Sequence, residues 1–318
     1  MSKNEDKTIL NYAPLWISPK EALKELPWEI DDFTSLEAIP ERYQTALKKY
    51  NEGNGLSWDL SPEPTIALKL FSSTHEKSLF DIIPVNFSII RCKAFLLALF
   101  LAQPVSFAIT RIYTGDLLKD STPRFMGWDR QLQCKAKWVA NQKCHEVINS
   151  EEVSKLFGLM QEYFQNDKIR VDRISVALHA LWASLNTEDW RQAYISRTVI
   201  LEAILSTGNQ EITHQMAERV ALILGGDCGK PLDIYNIVKK LYGIRSDIVH
   251  GRHMKKRPVI AYAQGSAIEE LHQLTNMSRL ILHHIILNDK MRKKLQDTSE
   301  KSEKRLHEYF LELQFGSK

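Results

Sequence analysis

The segment LYGIRSDIVHGRHMKKR, residues 241–257, contains the side chains of this chain that are best suited to chemistry. Four residues separate Arg245 from His250, and Gly251 and a basic cluster follow the histidine directly. Histidine titrates near neutral pH and transfers protons, whereas arginine stays charged and holds two phosphate oxygens at once. The pair therefore supplies a proton-transfer group and a cation that can bind a phosphate, which together could form part of a catalytic site.

A helix predicted over PLDIYNIVKKLYGIRSDIVHG positions both side chains, beginning at Pro231 and Asp233 and ending before Gly251. At about 100° per residue, one face of this helix is apolar and the opposite face is polar. The apolar face comprises Ile234, Ile237, Val238, Leu241, Ile244 and Ile248, with Arg245 in its middle, and the polar face comprises Lys239, Gly243, Ser246, Asp247 and His250.

An arginine on an apolar face is costly to bury unless a carboxylate pairs with it. Glu202 and Glu218, on the helices that precede this one, are the expected partners across a bundle. In a purely structural interpretation, Arg245 forms that ion pair and His250 binds the last carbonyl groups of its helix.

The run RSDIVHG, preceded by LEAILSTGNQEITHQMAERVALIL, resembles the Apea-like branch of the HEPN superfamily over roughly residues 170–290. HEPN domains are small helical bundles with an R-x4-6-H motif, and many are metal-independent ribonucleases. The resemblance implies an endoribonuclease that is a toxin or an anti-phage defence effector, with Arg245 and His250 as catalytic residues. It implies no cofactor and no metal, and Glu202, Ser246 and Asp247 are the candidates for polar support.

The resemblance also implies a homodimer in which the two motifs face each other across a two-fold interface. On an ideal helix Arg245 and His250 diverge by roughly 140°, so one chain does not aim both at one phosphate. Two positions depart from the family pattern: Ser246 follows the arginine where Asn, Asp or His is common, and Met254 stands where one subgroup has tyrosine.

A basic cluster after Gly251 offers contacts to the RNA backbone or, alternatively, forms a solvated loop. Its cationic residues are Arg252, Lys255, Lys256 and Arg257. Two other functional interpretations stay open. In the first, the chain is a non-catalytic HEPN-like module that binds RNA or protein. In the second, it is a structural helical protein in which the Arg and His have no catalytic role.

The length of 318 residues predicts two domains, residues 1–165 and 166–318. The pattern is mainly α, with a C-terminal antiparallel helical bundle, a charged C-terminal helix, and a separate, mostly helical N-terminal domain. We expect that N-terminal domain to sense, to regulate or to bind a partner, such as a protein or a phage-derived trigger. Stripes of apolar residues support helices that begin near Ser150 and Ile169.

Composition adds few constraints on function. The net charge of +3 is mild, and four cysteines without zinc-site spacing are typical of reduced thiols in the cytoplasm. The apolar run FLLALFLAQPVSFAI is shorter than a membrane span and contains Pro104, so a buried helix and no membrane partner are expected.

Overall fold

The computed structural model describes residues 7–18, 23, 25–39, 41–53, 65–73, 83–109, 112–114, 124–125, 134–135, 147–164, 172–208, 211–226, 229–251 and 266–316. The chain divides into two compact units, Met1–Ala136 with Asn141–Asp167 and Lys137–Ala140 with Lys168–Lys318. This described part contains ten helices and an eight-stranded antiparallel sheet. The prediction of a mainly helical chain is confirmed at that level, and a HEPN-type bundle stays a prediction.

The first unit is built around the sheet. Its strands are β1 (Lys7–Ser18), β2 (Trp28–Asp31), β3 (Thr34–Ala38), β4 (Ile66–Ser73), β5 (Ser106–Ile109), β6 (Tyr113–Thr114), β7 (Arg124–Phe125) and β8 (Cys134–Lys135). The order is β2-β3-β4-β1-β5-β8, and β6 pairs with both β1 and β7. In β1, Ala13, Leu15 and Ile17 share one face of the strand and are buried, and Pro14 on the other face is buried as well.

Three helices accompany the sheet: α1 (Glu41–Gly53), α2 (Ile83–Ala102) and α3 (Ser150–Phe164). The N-terminal unit, expected to be mostly helical, therefore also contains a sheet that the sequence analysis did not predict. Strand pairing joins residues far apart in sequence, such as Leu15 with Ile66 and Ile109, so local periodicity does not reveal it. The run FLLALFLAQPVSFAI ends α2 and continues into β5 across Pro104.

The predicted buried helix is confirmed, since residues 94–101 of α2 are fully buried. Among the described helices, none is both long enough and apolar enough to cross a membrane. The stripe of α3 is also buried, but its cap is Asn149, whose Oδ1 accepts from the amide of Glu151 at 2.9 Å. Ser150 is the first residue of the helix, one position later than a cap.

A buried arginine that the sequence did not single out fixes the β2–β3 turn of the first unit. Arg91 of α2 is 2% exposed and forms an ion pair with Asp31. Its Nε donates to Thr34 Oγ1 at 2.7 Å, and its Nη1 donates to Gln161 Oε1 of α3 at 2.9 Å. The guanidinium is thus bound on three sides, which offsets the cost of its burial.

The second unit is entirely helical in its described residues. Its helices are α4 (Arg173–Asn186), α5 (Trp190–Leu205), α6 (Ile212–Leu224), α7 (Pro231–Val249), α8 (Ser266–Leu287), α9 (Asp289–Gln296) and α10 (Ser302–Phe315). Helix α5 is central, because it packs against α4, α6, α7 and α8. The predicted apolar stripe of α4 is confirmed as buried: Ile174, Ala177, Leu178, Leu181 and Leu185.

The end of the chain differs from the single exposed, charged helix expected there. Helix α8 ends at Leu287, because Asn288 caps a new helix, α9, with Oδ1 accepting from Met291 N at 3.0 Å. Buried Leu306, Tyr309 and Phe310 show that α10 packs against the unit through one face. Helices α9 and α10 are therefore amphipathic, although this part of the sequence is rich in charged residues.

Candidate functional site

Helix α7 begins and ends where its sequence predicts. Pro231 occupies the first helical position, where its missing amide hydrogen is not needed. At the other end, the His250 amide donates to Ser246 O at 3.0 Å, and Gly251 follows with a φ of 56°. This left-handed conformation is the one that glycine accommodates best, so the helix stops beside the histidine.

The buried residues of α7 form a narrower strip than the predicted apolar face of the helix. Ile234, Val238 and Leu241 are buried, whereas Ile244 and Ile248 are half-buried and Ile237 is 37% exposed. Neighbouring helices cover only part of the face, which sequence periodicity alone cannot show. The middle of the apolar face, where Arg245 was predicted, is consequently close to solvent.

Arg245 pairs with Glu202 of α5, one of the two carboxylates predicted for it. The Arg245 Nη2 and Glu202 Oε1 atoms are 3.3 Å apart, and the two side chains are 26% and 24% exposed. The Arg245 guanidinium lies 5.3 Å from the centre of the Tyr242 ring, within range of a cation–π contact. Arg245 is thus held by a carboxylate and an aromatic ring while it remains half-buried.

Tyr242 connects the two charged side chains, and the sequence analysis missed it. Its hydroxyl donates to Glu202 Oε1 at 2.8 Å. Burial, followed by the hydrogen bond to Glu202 and the Glu202 charge, raises the pKa of Tyr242 to about 12. The spacing of three residues between Tyr242 and Arg245 was the available signal, since such residues are neighbours on a helix surface.

One donor of Arg245 has no use inside the described structure. Its Nε is buried and has no hydrogen-bond partner among the described residues. Glu202 engages one end of the guanidinium and the Tyr242 ring lies beside it. The arrangement fixes the position of the cation, and only the exposed quarter of the Arg245 side chain is accessible to an anion.

His250, the other predicted catalytic residue, is exposed at the C-terminal end of α7. His250 comes five positions after Arg245, which separates the two by about 7.5 Å along the axis of an ideal helix and about 140° around it. The structure therefore places the two side chains on one helix end without bringing them onto one face. Of the supporting residues, Ser246 is half-buried and Asp247 is exposed.

The remaining predicted residues have different outcomes. Glu218 does not pair with Arg245; instead its Oε1 accepts from Gln314 Nε2 of α10 at 2.6 Å. The four cations proposed for RNA binding, Arg252, Lys255, Lys256 and Arg257, lie outside the described residues.

A second polar cluster near the start of α7 was also missed. His214 Nδ1 of α6 lies 2.7 Å from the Tyr235 hydroxyl, and the two rings meet edge to face at 5.7 Å. Lys239, one turn further along α7, places its ammonium 5.3 Å from the centre of the Tyr235 ring. The spacing of four between Tyr235 and Lys239 was a signal in the sequence, but the contribution of α6 was not.

Among the residues that the structure describes, no group of three or more His, Cys, Asp or Glu side chains is arranged to hold a metal ion. Comparison of the chain with protein-family models, with curated proteins and with solved structures found no match. The candidate site is therefore defined by its own geometry: a fixed arginine, its carboxylate and tyrosine neighbours, and an exposed histidine at the same helix end.

Proposed function

We propose that this protein is a metal-independent endoribonuclease of the HEPN type, acting as a toxin or an anti-phage defence effector. The observation that supports this function best is Arg245, a half-buried cation held by Glu202 on the same helix end as the exposed His250. The resemblance of RSDIVHG to the HEPN motif supplies the link to RNA.

In the proposed reaction the 2′-oxygen of the RNA attacks phosphorus and the bond from phosphorus to the 5′-oxygen breaks. One His250 takes the proton of the 2′-hydroxyl, and a second group gives a proton to the departing 5′-oxygen. Arg245 binds the non-bridging oxygens, whose negative charge grows in the transition state. The products are a 2′,3′-cyclic phosphate and a 5′-hydroxyl, so no water is consumed in this step.

A homodimer supplies the missing half of such a site. One helix directs Arg245 and His250 about 140° apart, so a second copy of the motif has to complete the set of groups around one phosphate. Helices α5 and α7 are the proposed interface elements. The half-buried Ile244 and Ile248 and the exposed Ile237 give α7 apolar surface that a partner could cover.

The test is cleavage of end-labelled RNA by the purified protein in EDTA. Wild type should yield cyclic-phosphate ends, because the proposed chemistry uses only protein side chains. His250→Ala should lower the rate by about 10²–10⁴, the usual contribution of a positioned proton-transfer group. Val249→Ala is the matched control, because Val249 is the neighbour of His250 and is 47% exposed. This variant should cleave RNA like wild type.

One observation favours the alternative, a non-catalytic HEPN-like module that binds RNA or protein. Arg245 already has a carboxylate partner in Glu202, as a purely structural ion pair would. If EDTA stops cleavage, or if His250→Ala cleaves as fast as wild type, the proposed metal-independent mechanism is wrong. If wild type cleaves no RNA, the non-catalytic module replaces the ribonuclease proposal.

A further inference from the structure

One face of α7 presents a continuous row of polar and aromatic side chains, which we call the α7 stripe. Its members, spaced three or four residues apart, are Tyr235, Lys239, Tyr242, Ser246 and His250. At about 100° per residue they occupy roughly a quarter of the helix circumference, and they extend over about 22 Å. Lys239 and His250 are exposed, and the other three are half-buried.

The stripe contains no acidic residue. Asp233 and Asp247 of the same helix lie about 100° or more from its centre line. Glu202 lies against Tyr242 but is engaged by the Tyr242 hydroxyl and by Arg245. On α6, Glu218 is bound by Gln314 of α10. The net charge along the stripe is therefore that of Lys239, because Glu202 balances the charge of the flanking Arg245.

Lys239 differs from its neighbour Lys240 in its partners. Lys240 forms an ion pair with Glu270 of α8 at 3.2 Å. Lys239 has no carboxylate within ion-pair distance in the described part of the chain, and the described contact of its ammonium is the Tyr235 ring. An exposed ammonium without a counter-charge is suited to bind an anionic group from a ligand.

His214 extends the stripe sideways with an aromatic surface. Its imidazole is exposed, and the 2.7 Å contact with the Tyr235 hydroxyl fixes the orientation of the ring. A fixed, exposed aromatic ring beside a cation is the arrangement with which proteins stack a base and hold the adjacent phosphate.

We infer that the α7 stripe binds a single-stranded RNA that extends from the proposed catalytic half-site towards the start of the helix. Lys239 binds a phosphate, the ring of His214 stacks on a base, and Tyr235 positions His214. The length of about 22 Å matches roughly six stacked nucleotides at about 3.4 Å each. This inference rests on the proposed ribonuclease function and names the form of its substrate as an unpaired strand.

The test measures binding separately from cleavage. A fluorescent 12-nucleotide 2′-O-methyl RNA lacks the attacking hydroxyl, so its anisotropy with the full-length protein reports binding alone. Lys239→Ala should weaken binding and lower the slope of log affinity against log salt by about 0.7, the value for one phosphate contact on a single strand. Lys304→Ala removes the same charge from an exposed site on α10 and should leave both quantities unchanged.

The stacking contact has its own pair of variants. His214→Ala should weaken binding about 5- to 150-fold, as expected for the loss of one stacked base. His214→Phe retains an aromatic face and should restore most of that affinity. A duplex of the same sequence should compete at least tenfold less well than the single strand, because paired bases are not available for stacking.

The outcomes separate this inference from the proposed function. Unchanged affinity in Lys239→Ala and His214→Ala, or equal competition by duplex and single strand, overturns the inference even if wild type cleaves RNA. If wild type cleaves no RNA but binding depends on Lys239 and His214, the strand-binding stripe stands and the ribonuclease proposal fails.

Discussion

Replacing Arg245 and its carboxylate partner one at a time separates a structural ion pair from a phosphate-binding arginine. The variants are Arg245→Ala, Arg245→Lys and Glu202→Gln. A purely structural pair predicts that activity follows stability in all three. A phosphate-binding arginine predicts that activity depends on the guanidinium, whereas stability depends on the opposite charges of the pair.

The effect on stability follows from the geometry of the pair. At 3.3 Å the Coulomb attraction is about 5 kcal/mol for an effective dielectric constant of about 20. Both side chains are about a quarter exposed, so desolvation, ordering and screening offset most of that attraction. We expect Arg245→Ala and Glu202→Gln each to lower the free energy of unfolding by about 1–2 kcal/mol. This corresponds to a melting temperature about 3–6 °C lower.

The rates of cleavage should not follow the stabilities of the three variants. Arg245→Ala should reduce kcat by about 10²–10³, as for the loss of one transition-state donor. Arg245→Lys keeps the charge and most of the stability, but it loses the bidentate fork and should still cleave at least about tenfold more slowly. Glu202→Gln keeps Arg245 in place and should therefore remain active. Among the active variants it should be the least stable.

The assay combines thermal unfolding with single-turnover RNA cleavage at a temperature where every variant is folded. Tyr242→Phe serves as the matched control, since it keeps the ring beside Arg245 and removes only the hydroxyl donated to Glu202. If Arg245→Lys cleaves like wild type, or if every variant cleaves at the wild-type rate at this temperature, Arg245 is a structural residue and the mechanism is wrong.

Three further predictions concern stability, pH and assembly. In denaturant titration, Arg91→Ala should lower the free energy of unfolding of the first unit by about 3 kcal/mol, because Asp31 and Gln161 lose their shared partner. A loss below about 0.5 kcal/mol would show that these contacts of Arg91 do not stabilise the unit. Because the pKa of Tyr242 is raised to about 12, its contribution to stability is present below about pH 10 and is lost as the pH rises to about 12. Between these pH values the free energy of unfolding of Tyr242→Phe should therefore fall less steeply than that of wild type. Light scattering should give twice the 36.7 kDa chain mass at micromolar concentration. Ile237→Glu should weaken that dimer and leave a folded monomer, since Ile237 is 37% exposed. A strict monomer with and without RNA contradicts the two-fold site.

The local sequence determines the helices of the second unit and the placement of Arg245 and His250 at one helix end. Pro231 and Gly251 bound α7 because their backbone preferences act within one or two residues. The buried stripe of α4 follows from a helical period that needs no knowledge of the neighbours. Pairing of Arg245 with a carboxylate was predictable from its position, although two glutamates fitted equally well.

Tertiary packing decides the features that depend on which surfaces meet. Helices that cover only part of the apolar face of α7 leave Arg245 26% exposed, whereas Arg91, Arg197 and Arg219, which the sequence pattern did not single out, are almost completely buried. Long-range strand pairing, such as that of Leu15 with Ile66 and Ile109, makes the first unit a sheet despite its helical fragments. The choice of Glu202 over Glu218, and the contact of His214 with Tyr235, depend likewise on how α5 and α6 pack beside α7. Periodicity records which residues share a face of one element, but burial and partners depend on the surface that a second element brings to that face.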